Sequence, residues 1–157
     1  MATLRHITLS IDSSLENVPL IGTAVNRICS LTPLSEVEAY QTELCVVEAC
    51  NNAIKHAYEN KSGNLVEVEV HLGINHITFD ICDKGKVMKM RDTPNLDYDI
   101  EDLNQVPEGG MGLFIIHSVM DEVNYGHIHG RNVLRLARFF ELDKKKSRSD
   151  QSAEQLA

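Results

Sequence analysis

Three polar side chains interrupt an otherwise mostly apolar stretch between residues 43 and 58, and they recur at every fourth position as Glu48, Asn52 and His56. A spacing of four residues places them on one face of an α-helix. Because the rest of the stretch is largely apolar, this helix is expected to be buried. Burying a carboxylate, an amide and an imidazole without partners costs free energy. A metal ion and a phosphate chain bound along this face would compensate for that cost.

The length and the charge of the chain limit the classes of protein to which it can belong. Its 157 residues are the size of one domain with a substantial core. A net charge of -8 and an aromatic content of 5%, without tryptophan, argue against binding to nucleic acid or to anionic membranes. We therefore expect a soluble protein whose partners are other proteins.

The cysteines favour a reducing, cytoplasmic compartment. None of the four forms a C-x-x-C pair, and all lie in apolar stretches, so buried reduced thiols are expected rather than zinc ligands or disulfides. The first residues lack the long apolar core of a signal peptide, and no apolar run reaches transmembrane length.

Capping and alternation patterns predict an α+β fold. The Ser-x-x-Glu segments Ser13–Glu16 and Ser35–Glu38 are typical of capping boxes and predict helices that end near Leu31 and Tyr58. Strands are expected at residues 3–11, 65–72, 76–82, 122–129 and 132–142. Because neighbouring strands usually pair, we expect a two-layer α/β sandwich. Its sheet would be mixed and mostly antiparallel, with about three helices on one face.

The remaining segments define the domain boundaries. The stretch from Asp83 to Gly110 shows no sustained periodicity, and a loop of this length in a compact domain usually has a function. The segment from residue 144 is polar and starts with three lysines. We expect one domain at residues 1–143 and a polar, disordered tail at residues 144–157.

Two further motifs complete a possible ligand site. Asp83-Lys-Gly85 lies where a predicted strand ends. With Gly85 letting a ligand approach, Asp83 could accept a hydrogen bond from an exocyclic amino group. The second motif contains Gly109, Gly110 and Gly112 and leads directly into a helix. Glycines bring backbone amides close to a ligand, and a helix N-terminus attracts phosphate.

The predicted helix that contains residues 43–58 carries side chains that suit a metal ion, a phosphate and a proton transfer. Asn52 can offer its carbonyl oxygen to Mg²⁺, and Lys55 could reach a phosphate as a point charge. Glu48 is placed to take a proton from a hydroxyl or a water. Each motif alone is a weak signal, since a glycine turn or an Asp-x-Gly is often only a turn. Their combination, in this order, indicates a nucleotide site.

The combination resembles the nucleotide-binding domain shared by gyrase, the heat-shock protein of ninety kilodaltons, histidine kinases and mismatch-repair ATPases, which has the Bergerat-type ATP-binding fold. Glu48-x-x-x-Asn52 is similar to the N box of that family, Asp83-x-Gly85 to its first glycine box and residues 109–116 to its second. Residues 120–125 and 130–136 resemble the stand-alone anti-sigma factors that act as serine-protein kinases.

The resemblance implies a role for each motif. ATP would bind between the helices and a lid at about residues 86–108, with Asn52 as the Mg²⁺ ligand, Glu48 as the general base and Asp83 on the adenine amino group. The residues that bind ATP and Mg²⁺ would be Asn52, Lys55, Asp83, Gly85, Gly109, Gly110, Met111, Gly112 and Leu113. Val87 departs from the Asp-x-Gly-x-Gly form of the first glycine box. His56, Lys89 and Arg91 receive no role.

The function implied is that of an ATP-dependent serine/threonine-protein kinase. It would phosphorylate a small anti-anti-sigma partner with a STAS domain and sequester a sigma factor or a similar regulator. The resemblance also allows a homodimer. One alternative is a nucleotide-dependent binding switch with little catalysis. Another is the ATPase module of a histidine kinase system, although histidine kinases usually carry Asn at the position of Glu48.

Overall fold

The computed structural model describes residues 5–88 and 111–141. Within these ranges the chain forms five strands and three α-helices, with a 3-10 turn at Leu15–Asn17 before the first α-helix and a π-helical turn at Ala53–Ala57 after the second. The elements are β1 (Arg5–Asp12), α1 (Val18–Cys29), α2 (Glu36–Asn52), β2 (Leu65–Leu72), β3 (His76–Asp83), α3 (Met111–Val119), β4 (Glu122–Ile128) and β5 (Arg131–Phe139). The predicted tail and most of the predicted lid lie outside the described residues.

The five strands form one sheet in the order β1-β2-β3-β5-β4. Each described pairing is antiparallel, so the sheet that was expected to be mixed is antiparallel throughout its described strands. The α+β sandwich itself is confirmed. The strands β4 and β5 are joined through His129 and Gly130, whose φ angles of 52° and 75° are those of a two-residue hairpin turn. The last strand of the described chain therefore lies inside the sheet, between β3 and β4.

Alternating residues of the sheet form the core with the helices. The buried sheet residues are Ile11, Val66, Val68, Val70, Ile77, Phe79, Ile81, Leu134 and Leu136. They pack against helix residues such as Val25, Val46, Ile54 and Ile116. Full burial of each such side chain contributes about 1.5–3 kcal/mol. The alternate positions of β2, which are Glu67, Glu69 and His71, lie on the other face of the sheet and are half-buried.

The two predicted capping boxes differ in outcome. Ser35 caps α2 as predicted, because its hydroxyl accepts from the Glu38 N–H at 3.1 Å and the Glu38 carboxylate accepts from the Ser35 N–H at 2.8 Å. The prediction for Ser13 is wrong. The Ser13 hydroxyl donates to the carbonyl of Lys61 at 2.6 Å, and α1 begins only at Val18. A distant turn thus uses the hydroxyl that a local capping box would require.

The cysteines behave as the sequence predicts. Cys29, Cys45, Cys50 and Cys82 are free and buried. Burial raises the pKa of the Cys50 thiol to about 12, so this thiol stays protonated and unreactive at neutral pH. Among the described residues, the helices are too short or too polar for any of them to cross a bilayer.

Candidate nucleotide site

The end of α2 carries the first motif, and its last turn is π-helical. The Tyr58 N–H donates to the carbonyl of Ala53 at 3.0 Å, which is a bond over five residues. A spacing of four residues therefore no longer keeps side chains on one face beyond Asn52. Glu48 and Asn52 are half-buried, whereas His56 is exposed. The polar stripe is thus reduced to Glu48 and Asn52, and His56 stays without a role.

The second motif begins with a buried carboxylate at the end of β3. Asp83 is only 4% exposed, and its Oδ1 accepts from the Gly85 N–H at 2.9 Å and from Asn132 Nδ2 at 2.8 Å. Within the described parts of the chain, its Oδ2 has no hydrogen-bond partner. The two hydrogen bonds to Oδ1 therefore hold the carboxylate in one orientation.

The loop after β3 docks directly onto the last turn of α2. The Lys86 N–H donates to the carbonyl of Ala57 at 2.9 Å. A Cβ built on Gly85 would lie 2.4 Å from that same oxygen, so no side chain fits at this position. The sequence suggested that Gly85 is small to let a ligand approach. The structure gives a different reason, which is the close packing of two backbone segments.

Two tyrosines hold the ends of the segment 84–88, where the predicted lid begins. The Tyr58 hydroxyl accepts from the Lys84 N–H at 2.8 Å, and the Tyr125 hydroxyl accepts from the Met88 N–H at 3.0 Å. Burial raises the pKa of both phenols, so both side chains are neutral at physiological pH. Val87, which replaces the second glycine of the box, is exposed between these two anchors.

The third motif meets the first at the start of α3. Gly109 and Gly110 lie outside the described residues, but Gly112 lies in the first turn of α3 and is buried. A Cβ built on Gly112 would lie 2.7 Å from Oε2 of Glu48. The carboxylate thus reaches the N-terminal end of α3, where free N–H groups and the positive end of the helix dipole favour anions.

Three further predicted site residues, Lys55, Met111 and Leu113, lie within the described chain. Lys55 is exposed on the π-helical turn, and Met111 is exposed at the start of α3. Leu113 is half-buried on α3. The structure therefore brings together Glu48 with Gly112, and Gly85 with the end of α2. The predicted lid cations Lys89 and Arg91 lie outside the described residues.

Asn132 is a candidate site residue that sequence reasoning missed. It is fully buried on β5, directly opposite Asp83 in the register. Its Nδ2 donates to Asp83 Oδ1 and, at 3.1 Å, to the carbonyl of Gly85, while its Oδ1 lies 2.9 Å from Nδ1 of His127. The sequence did contain a sign of this role. Asn132 alternates in step with the buried leucines of β5, so its side chain lies on the buried face of the strand.

Replacing Asn132 with leucine tests this bridge. The Asn132→Leu variant keeps the number and branching of the side-chain heavy atoms but removes the donor from a buried carboxylate, so we expect the free energy of unfolding to fall by about 2 kcal/mol. Urea denaturation measures the change. The control is Asn124→Leu at an exposed position of β4. Equal unfolding midpoints for the two variants would show that the bridge does not stabilise the fold.

Comparison with known proteins identifies the class. Residues 11–138 match the family described as the histidine kinase-like ATPase domain. Because the match spans most of the sequence, the chain belongs to the histidine kinase-like ATPase domain family.

The curated relatives are more specific. The serine-protein kinase RsbW of Staphylococcus epidermidis is 30% identical over 134 residues, which cover 78% of this chain and 79% of that protein. The serine-protein kinase RsbW of Staphylococcus aureus strain Newman is 32% identical over 122 residues, which cover 74% and 76% of the two chains. The predicted resemblance to serine-protein kinases of the anti-sigma group is confirmed.

A solved structure supports the fold. The chain with the RsbU and RsbW domains of a Mycobacterium tuberculosis protein superimposes with a TM-score of 0.57 at 12% sequence identity. The superposition covers 91% of this chain and 36% of that longer one. At this identity the likeness concerns the fold alone, and it agrees with the predicted ATPase architecture.

Proposed function

We propose that this protein is an ATP-dependent serine/threonine-protein kinase. It phosphorylates a small STAS-domain anti-anti-sigma partner and sequesters a sigma factor or a similar regulator. The serine-protein kinases among its relatives support the reaction type. The observation that carries the proposal is the approach of Glu48 to Gly112, because it joins a candidate base to a helix N-terminus that suits phosphate.

Glu48 is the proposed general base. A carboxylate that takes the proton of a serine or threonine hydroxyl makes the oxygen a better nucleophile towards phosphorus. Positioning and charge neutralisation supply most of the remaining effect in phosphoryl transfer. The backbone amides of Met111, Gly112 and Leu113, together with those of Gly109 and Gly110, are the proposed phosphate-binding groups. Lys55, exposed on the neighbouring turn, is the proposed charge partner of a phosphate.

The donor set near the end of α2 fits Mg²⁺. Asn52 is half-buried one turn after Glu48, so an amide oxygen and a carboxylate lie along the same helix. Mg²⁺ takes oxygen ligands and is usually held by one or two protein groups together with phosphates and water. When bound, the ion neutralises charge that develops on the phosphoryl group. Asn52 is the proposed protein ligand.

Asp83 is the proposed adenine-binding residue. Its Oδ1 is held by Asn132 and by the backbone of Gly85, which fixes the orientation of the carboxylate. Its Oδ2 would then accept a hydrogen bond from the exocyclic amino group. A site built around such an acceptor discriminates strongly against a purine that lacks this donor.

Labelled ATP tests the kinase. The protein is incubated with each STAS-domain protein of the same organism and with ATP labelled at the γ-phosphate. We expect acid-stable label on a serine or threonine of one partner. ATP binding without any transfer would favour the nucleotide-dependent switch instead. Acid-labile label on a histidine would indicate the ATPase module of a histidine kinase system.

Replacing Gly112 with alanine tests the contact between the two motifs. The added Cβ would meet the flexible end of Glu48, so this side chain must move while the fold persists. Since small displacements of a reacting group are costly, we expect phosphoryl transfer to fall by about 100-fold. The transfer rate is measured alongside the melting temperature. If a folded Gly112→Ala variant transferred phosphate at the wild-type rate, Glu48 would be excluded as the general base.

The proposed location is the cytoplasm, which the four buried free thiols support. The proposed assembly is a homodimer, as the resemblance allows. Sedimentation velocity gives the oligomeric state. A pull-down in ADP and then in ATP identifies the regulator, and we expect its retention to depend on the nucleotide.

A further inference from the structure

The face of the sheet opposite the helices carries a second cluster of chemically active side chains. His6 on β1 lies directly opposite His71 on β2 in the strand register. Glu69 lies two residues before His71 and therefore on the same face of β2. One potential ligand atom from each of the three residues lies within 4.8 Å of the other two.

The cluster is already partly ordered. The rings of His6 and His71 stack with their centroids 4.6 Å apart, and Glu69 Oε2 lies 4.0 Å from His71 Nε2. The other oxygen of Glu69 accepts a hydrogen bond from Arg131 at 3.1 Å. Arg131 thus holds Oε1 and leaves Oε2 directed towards the histidines. Such outer contacts orient the ligands in many metal sites.

We propose that His6, His71 and Glu69 bind one divalent first-row transition-metal ion, such as Zn²⁺. Imidazole nitrogens with a carboxylate oxygen form a familiar ligand set for zinc, and water completes the coordination. This site is separate from the proposed nucleotide site, where the donors are oxygens. Mg²⁺, which prefers oxygen ligands, is not expected to bind here.

The three donor atoms must move closer together to bind one ion. Tetrahedral Zn²⁺ with ligands at about 2.0–2.1 Å needs donor atoms about 3.3 Å apart. The donors therefore approach each other by at most about 1.5 Å, and the stacked rings turn so that their lone pairs converge. His6 is exposed and His71 is half-buried, so their side-chain torsions are free to make this change.

The local charge favours a cation. Arg131 lies 3.1 Å from Glu69 and 3.9 Å from Glu67, so one guanidinium faces two carboxylates. The next pair on this face, Arg135 with Asp80, is balanced. One negative charge therefore remains beside the two imidazoles.

Metal binding would link two strands. His6 belongs to β1, which is an edge strand, whereas the other two ligands belong to β2. Because the three groups come together only in the paired strands, the ion binds the folded state and stabilises it. An increase in the melting temperature is therefore expected in the presence of Zn²⁺.

The test uses the full chain without a polyhistidine tag and without nucleotide. Titration calorimetry with ZnCl₂ should show one equivalent bound, and Zn²⁺ but not the same concentration of Mg²⁺ should raise the melting temperature. The variants His6→Gln, His71→Gln and Glu69→Gln should each weaken Zn²⁺ binding at least about tenfold. Glu69→Gln retains an acceptor for Arg131, and His6→Gln changes an exposed residue, so both are expected to fold.

The control is His129→Asn, which removes an exposed histidine from a turn position with positive φ that asparagine tolerates. This variant should bind Zn²⁺ as tightly as the unchanged chain. The absence of Zn²⁺ binding overturns the proposal, and so does binding that survives both histidine replacements in the cluster. An equal loss in the control would show adventitious binding to surface histidines.

Discussion

Glu48→Gln is expected to lower the rate of phosphoryl transfer by about 10²–10⁴-fold while ATP binding and the fold are retained. Glutamine has the same shape as glutamate but cannot take up the proton of the attacking hydroxyl. Its amide still fits beside Gly112, so the packing of α2 against α3 is preserved. The rate of label transfer to the partner measures the first effect, and the affinity for a fluorescent ATP analogue measures the second.

The matched control for this experiment lies on the same helix. Glu43 is half-buried on α2, and its Oε2 accepts from Asn26 Nδ2 at 2.9 Å. Glu43→Gln makes the same chemical change away from the proposed site and keeps an acceptor for Asn26, so transfer should be unaffected. Transfer at the wild-type rate by Glu48→Gln would exclude Glu48 as the base. Equal losses in the two variants would point to a general effect on α2.

Gly85→Ala is expected to cost about 3 kcal/mol of the free energy of unfolding. The added Cβ would lie 2.4 Å from the carbonyl oxygen and 2.6 Å from the carbonyl carbon of Ala57. Because both atoms belong to the backbone, no side-chain rotation relieves the clash. The melting temperature should fall by about 6–12 °C. Since the clash pushes the loop of Asp83 away from α2, affinity for ATP should fall as well.

Gly126→Ala on β4 provides the comparison for this substitution. A Cβ there would have no heavy atom within 4 Å, and no positive φ is recorded at this glycine. The same chemical change should therefore leave the melting temperature nearly unchanged. If the two variants had the same melting temperature, the loop could not pack as closely on Ala57 as it does in the structure.

Local patterns predicted those elements whose causes are local. Ser35 and Glu38 form a reciprocal cap three residues apart, and the predicted start of α2 is confirmed. The apolar alternation of residues 65–72 predicted β2 with its observed bounds. In each case the interacting groups lie within a few residues, so their spacing in the sequence contains the necessary information.

The predictions that failed concern residues whose hydrogen-bond partners are distant in the sequence. Ser13 bonds to Lys61, which is 48 residues away, and Asn132 bonds to Asp83, which is 49 residues away. No local pattern reveals such partners, although a polar residue in the buried phase of a strand, such as Asn132, indicates that one is needed. The π-helical turn at Ala53–Ala57 was also missed, and its last carbonyl, that of Ala57, accepts from the distant Lys86 N–H.

The roles of the site residues remain predictions. The structure gives the positions of those that lie in the described chain. The motifs were recognised from residue types and spacing, and their family is now established. The approach of Glu48 to Gly112 could not be inferred from either motif alone, since it depends on the packing of α2 against α3. The predicted lid at about residues 86–108 is described only at Lys86, Val87 and Met88.

The position of β5 inside the sheet affects how the chain matures on the ribosome. Chains fold from the N-terminus as they emerge, and β5 emerges after the other strands. Until then β3 has an unpaired edge, which is a target for chaperones and a risk for aggregation. Asp83 also lacks its Asn132 partner at this stage. The carboxylate that we propose to bind adenine therefore gains this partner only when β5, the last of the described strands, inserts into the sheet.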